Sequence, residues 1–207
     1  MTPTKIRRRA KPNHRYTPSL KLCVSGAAQG ECLELAGDKA IAIGREIARV
    51  GAILTHGATT GIPQLAAKGC KLAGGTCIGF SPASTSSEHT RKYRLPLQYS
   101  DLIIFTGSGY AARNLLLTRS SDAVIIVCGR IGTLNEFTVA FEDKKVIGVL
   151  DDSGGITKEI RDILKAAKRG KLHIVFEHDP KRLVAAVIRE IKKGRNHAHY
   201  PSDDQEQ

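Results

Sequence analysis

The chain has 207 residues, 41% of them hydrophobic, and a formal charge of +12. That length suits one domain burying roughly 70% of the surface its unfolded chain exposes, with little room for a second. The composition excludes a fibrous or wholly disordered chain, and no apolar run reaches the roughly 20 residues needed to cross a bilayer.

The charge is concentrated at one end. Lys5, Arg7, Arg8, Arg9, Lys11, Arg15 and Lys21 fall within residues 1–22, which hold no acid; setting those seven aside leaves 25 basic residues against 20 acidic. Residues 1–18 read as a basic flexible arm. Its arginine run suits phosphate neutralisation on nucleic acid, or simply a solvated segment. Tyr16 is its only aromatic, so the stacking component of single-strand binding is missing. No apolar segment with a small-residue cleavage site follows, so no secretory signal is expected and the protein is placed in the cytoplasm, away from membranes.

From Leu20 onward strand and helix alternate, the pattern of a parallel sheet with crossover helices. Leu20–Ser25 is a strand ending at Gly26. Residues 33–50 place Leu33, Ala36, Ala40, Ile43, Ile47 and Val50 at helical spacing. Residues 52–55 form a strand that runs into the turn His56-Gly57-Ala58-Thr59-Thr60-Gly61. Pro63 suits the first turn of the next helix, because its missing N–H costs nothing there. A third strand, Thr76–Phe80, enters the one long irregular stretch, residues 81–100. Stretches of that length are usually functional or disordered; Glu88, His89, Arg91, Lys92, Tyr93 and Arg94 in it are read as a lid or a solvated face.

Residues 101–105 form a strand and 109–119 a helix. Residues 123–127 are continuously apolar, as a central strand covered on both faces should be. Gly132-Thr133 opens a helix carrying Leu134, Phe137 and Phe141. Strands at 146–150 and 172–176 and an amphipathic helix around Leu183–Ile191 complete the order. The expected fold class is therefore α/β, a Rossmann-like open parallel sheet of about seven strands with helices on both faces. Residues 19–195 are read as this single domain and 196–207 as a flexible tail. Its His197 and His199 are assigned no metal. The five cysteines, Cys23, Cys32, Cys70, Cys77 and Cys128, lack zinc-site spacing and are expected to be free, mostly buried thiols.

Ligands of such sheets bind beyond the carboxyl ends of the strands. Three glycine-bearing turns fall there: Ser25-Gly26-Ala27, Gly57-Ala58-Thr59-Thr60-Gly61 and Gly129-Arg130-Ile131-Gly132-Thr133. Glycine lets main-chain N–H groups approach an anion, and the following helix offers its positive end. Ser25, Gly26, Gly57, Thr59, Thr60, Gly61, Gly129, Arg130, Gly132 and Thr133 are the expected ligand-binding residues, with Arg113 or Arg130 supplying charge-assisted forks. Neither a P-loop ending nor a three-glycine dinucleotide fingerprint is present. Glu136 also reads as a simple complement to its helix's positive end, and His56 as a locally bonded turn residue.

The run from Ser121 to Glu136, with Cys128-Gly129-Arg130-Ile131-Gly132-Thr133-Leu134-Asn135-Glu136 at its end, resembles the Pro-Gly-Gly-x-Gly-Thr-x-x-Glu signature of the LOG ("lonely guy") family, once classed as lysine decarboxylases, within the SLOG nucleotide-binding superfamily. The resemblance covers roughly residues 20–150 and lies close to the branch containing molybdenum-cofactor carrier proteins. It implies a bound AMP-like nucleotide or the molybdenum cofactor, a homodimer or homotetramer, and, for the enzymes, hydrolysis of the N-glycosidic bond of nucleoside 5′-monophosphates with Arg113 and Glu136 as the catalytic pair. It also implies a nucleic-acid-associated role as an alternative, since DNA-processing proteins use such domains. Cys128 stands where the enzymes carry proline, Arg130 replaces a glycine, Asn135 a frequent acid and Asn114 a lysine. These departures favour a binder over a hydrolase.

Overall fold

The computed structural model describes residues 19–168 and 173–197. The basic arm expected at 1–18 and the end of the tail lie outside the described residues. In chain order the elements are β1 (Lys21–Gly26), α1 (Cys32–Arg49), β2 (Ile53–His56), α2 (Ile62–Leu72), β3 (Cys77–Ser81), β4 (Leu102–Phe105), α3 (Gly109–Ser120), β5 (Ala123–Val127), α4 (Ile131–Glu142), β6 (Val146–Leu150), α5 (Ile160–Ala166), β7 (Ile174–Glu177) and α6 (Pro180–His197). The seven strands form one sheet in the order β4-β3-β2-β1-β5-β6-β7, every neighbouring pair parallel. This is a Rossmann-like α/β fold.

Both faces of the sheet are covered. Leu22 and Val24 of β1 and Ala123, Ile125 and Val127 of β5 point into a core shared with α1, α2 and α6. Cys23, Val124 and Ile126 point the other way, toward α3, α4 and α5 through Leu117, Phe137 and Ile160. Alternation along a strand buried on both sides makes each run wholly apolar, and β5 and β6 are buried at every residue. On the first face α1 and α2 pack closely: a Cβ on Gly44 would lie 1.8 Å from the carbonyl oxygen of Ala66, and one on Gly69 would lie 2.0 Å from that of Ile41. Only glycine permits that approach.

Three elements were not anticipated, one of them a 3₁₀ turn at Gly155–Lys158. α5 is only seven residues long and follows the glycine pair Gly154-Gly155; Ile160, Ile163, Leu164 and Ala167 stand at helical spacing, a short signal that sequence reasoning missed. The long stretch 81–100 contains a single turn of π-helix, Glu88–Lys92. It is pinned by buried His89, whose Nδ1 bonds the Ser81 hydroxyl at 2.8 Å and whose Nε2 donates to the Pro96 carbonyl at 3.0 Å. α6 continues to His197, two residues into the stretch read as tail.

The cysteines correct the expectation of free thiols throughout. Cys32, at the start of α1, is disulfide-bonded to Cys128 at the end of β5, at a sequence separation of 96. Cys23, Cys70 and Cys77 are free and buried. Nothing in the spacing of the five residues marks that pair, because β1 and β5 become neighbours only through the sheet order. Among the described residues no helix is long and apolar enough to cross a membrane.

Candidate functional site

The sheet order makes β1 central, with β2 on one side and β5 on the other. The turns leaving these three strands therefore stand side by side at one edge. They enclose a cleft of about 460 Å³ lined by Ser25, Gly26, Gly57, Thr59, Arg130, Gly132 and Thr133 from the turns, with Arg113 of α3 and Glu136 of α4. All of these were expected from sequence. Thr60, Gly61 and Gly129, also expected as ligand-binding residues, do not line it. The Thr60 hydroxyl donates to the Ala28 carbonyl at 3.0 Å, and a Cβ on Gly61 would collide with the Ala27 and Ala28 backbone, so both fasten the second turn to the first. Gly129 packs beneath Thr133. Sequence reasoning missed Val24, Ala28, Pro63, Tyr110 and Asn114 in the lining, and named Ala27 and Ile131 only as parts of their turns. Tyr110 had a signal, since it precedes Arg113 by one helical turn and shares its face.

The β5 turn builds the anion-seeking part. Cys128 and Gly129 both adopt positive φ, +53° and +97°, reversing the chain before Arg130 enters α4. No side chain caps α4 and no acid occupies its first turn. The first N–H groups of that helix and its positive end therefore face the cleft without a competing side chain. The turn is anchored from below by the Cys32–Cys128 bond, by the Cys128 N–H donating to Ser153 Oγ at 2.8 Å, and by the Ile156 N–H donating to the Gly129 carbonyl at 3.0 Å. α2 differs: its first N–H, that of Ile62, already donates to the Ala27 carbonyl at 2.9 Å.

Arg113 is buried, and its Nε has no hydrogen-bond partner. Among the described residues it forms no ion pair within reach, although the Glu136 carboxyl lies close enough to favour its charge. Burial pulls the Arg113 guanidinium below its ordinary range, yet an arginine stays protonated. A Cβ at Gly57 would lie 1.8 Å from its Nη1, so the glycine leaves room for the guanidinium over the end of β2.

Glu136 lies in the second turn of α4 and accepts a hydrogen bond from the Ser25 hydroxyl. Burial pushes its carboxyl above the ordinary range, with the Arg113 charge and the Ser25 bond pulling the other way. His56 bonds locally: the Ala58 N–H donates to its Nδ1 at 3.2 Å, and its Nε2 faces the Ser100 hydroxyl at 3.0 Å. Two of the departures from the enzyme signature are partners, the Asn114 amide donating to Asn135 Oδ1 at 3.0 Å. A pair of asparagines thus takes the place of a lysine and an acid together. Arg130 is exposed at the rim and leaves the cleft open. Among the described residues no group of three or more His, Cys, Asp or Glu could hold a metal ion.

Comparison with known proteins agrees with this fold. The model of the SLOG cluster4 family matches residues 19–184. A protein of Archaeoglobus fulgidus, described only as uncharacterized, is 34% identical over 131 residues, 63% of this chain and 80% of its own. The molybdenum cofactor carrier protein MCP of Chlamydomonas reinhardtii superposes with a TM-score of 0.69 at 26% identity, covering 84% of this chain and 99% of that one. The molybdenum cofactor binding protein of the phototrophic bacterium Rippkaea orientalis does so with a TM-score of 0.63 at 26% identity, over 87% of this chain and 99% of its own.

Proposed function

The chain belongs to the SLOG cluster4 family, and from that membership we propose that it binds a phosphorylated small molecule, an AMP-like nucleotide or the molybdenum cofactor, and holds it without turnover. One observation carries the reading: a buried guanidinium, Arg113, whose Nε is unpartnered, lines the same cleft as the uncapped N-terminus of α4. A buried cation without a direct ion pair is costly unless an anion completes it. A phosphate does so, accepting from Arg113 and from the main-chain N–H groups of residues 131–133. The molybdenum cofactor fits this donor set through its phosphate, and the likeness to two proteins whose names state molybdenum cofactor carriage or binding supports including it. Among the described residues no cluster of metal ligands stands at the cleft.

The test is thermal unfolding with and without AMP. Binding at a hundred times Kd should add about 2.7 kcal/mol of stability, with AMP recovered intact by chromatography. No shift with AMP, and no phosphorylated compound in mass spectra of the purified protein, would refute the reading.

A hydrolase remains the second reading, because Arg113 and Glu136 face one cleft. An arginine can hold the sugar phosphate while a carboxylate stabilises positive charge at the ribose. Release of free base from a nucleoside 5′-monophosphate, abolished by Glu136→Gln, would establish it.

The same chain is also the partner we infer for an apolar face beside α3. Leu102 and Ile104 of the edge strand β4 pair in register with Ile78 and Phe80 and share their side of the sheet, yet remain exposed, as does Leu116 of α3. Two copies meeting through this face would form a homodimer, or half of a tetramer. Leu102→Asp should then yield monomers in light scattering.

A further inference from the structure

We propose that Tyr110 is the docking platform for a planar heteroaromatic ring carried by the ligand, so that the cleft selects phosphates bearing such a ring over simple sugar phosphates. The inference rests on the phosphate-binding reading above and extends it to the rest of the ligand.

A cleft of about 460 Å³ is far larger than one phosphate and falls in the roughly 300–1,000 Å³ range that holds drug-sized molecules. Its remaining wall is apolar, formed by Val24, Ala27, Pro63, Ile131 and Tyr110. Tyr110 is the only aromatic residue among those lining the cleft, in a chain with five tyrosines, five phenylalanines and no tryptophan.

Its ring is held in place before any ligand arrives. Tyr93, from the stretch after β3, meets it edge to face, with centroids 5.5 Å apart and planes at 82°. The Arg113 guanidinium carbon lies 5.7 Å from its centroid. With these neighbours in place, 49% of Tyr110 is still exposed. A half-exposed aromatic ring on the wall of an apolar cleft, with Arg113 over one face and Tyr93 in edge-to-face contact, offers its remaining surface for stacking at a conformational entropy cost largely met already.

The strand order gives the platform its position. The β5 turn and the α4 N-terminus close one end of the cleft, while Arg113 reaches over Gly57 at the end of β2 on the other side of β1. Tyr110 stands one turn earlier on α3. A phosphate on the α4 end and Arg113 leaves the attached ring at the tyrosine. The Asn114 amide gives one N–H to Asn135, which fixes its orientation and leaves its oxygen and second N–H for a ring's edge. Stacking on Tyr110, which tolerates different rings, holds the ring's face.

Titration calorimetry of the full chain with AMP, a pterin monophosphate and ribose 5-phosphate tests this, using wild type, Tyr110→Ala and Tyr110→Phe. At least one ring-bearing probe should bind the wild type more tightly than ribose 5-phosphate. Tyr110→Ala should weaken that probe roughly 10- to 100-fold and leave ribose 5-phosphate unchanged, while Tyr110→Phe matches wild type. Which ring-bearing probe binds distinguishes a purine from a pterin. Ribose 5-phosphate binding as well as both ring-bearing probes, or Tyr110→Ala leaving the ring-bearing probe unaffected, overturns the platform while the phosphate site stands. A wild type that binds none of the three overturns both.

Discussion

The hydroxyl of Ser25, at the tip of β1, donates a hydrogen bond to the carboxyl of Glu136 in α4, joining residues 111 positions apart at the floor of the cleft. Ser25 was expected to contact ligand; its hydroxyl bonds the acid. Ser25→Ala should leave Glu136 buried without its donor, raise its carboxyl further and cost about 1–3 kcal/mol of stability. Urea unfolding of the variant beside wild type measures this, and an unchanged midpoint would contradict it.

The Cys32–Cys128 bond closes a long loop, so cutting it releases considerable freedom in the unfolded chain. Dithiothreitol, or Cys32→Ser, should lower stability by about 2–5 kcal/mol. Alkylation in denaturant without reductant should label three cysteines, Cys23, Cys70 and Cys77. Five labelled cysteines would show the pair reduced.

Gly57→Ala places a methyl group where Arg113 Nη1 now sits. The guanidinium must withdraw while the fold, built elsewhere, persists. Affinity for AMP should drop roughly 10- to 100-fold, the worth of a charged hydrogen-bonding contact. Calorimetry decides, and undiminished affinity would remove Arg113 from the anion site.

Burial, reinforced by the Arg113 charge, lowers the His56 imidazole to about 4. An unfolded histidine titrates near 6.5. Below that pH the unfolded chain takes up a proton the folded chain refuses, so stability is complete above about pH 6.5 and declines as pH falls toward about 4, by about 3 kcal/mol in all. His56→Asn should flatten that part of the pH–stability curve; an unaltered slope would assign the effect to other groups.

Much of this was legible in the sequence for definite reasons. Strands buried on both faces appear as unbroken apolar runs, so β5 and β6 were located to the residue, and turns that reverse the chain need glycine, so the three turns at the cleft stood out. The sheet order was not legible, and with it went everything that depends on β1 lying against β5: the Cys32–Cys128 bond, the Ser25–Glu136 contact and the pairing of Asn114 with Asn135. Gly61 and Gly129 were read as binding residues because glycine in a turn looks the same whether it admits a ligand or another stretch of backbone. Tyr110 escaped notice because its one signal, a place one helical turn before Arg113, has meaning only once Arg113 is assigned to the cleft.

Placing β1 against β5 also fixes when the cleft comes into being. Its first wall is synthesised by Ala28 and its second only at Arg130–Glu136, so a nascent chain on the ribosome possesses no site until Glu136 has been made. Ligand capture is therefore a late event in biogenesis, and a fragment ending before α4 would be blind to the molecule that the finished protein holds.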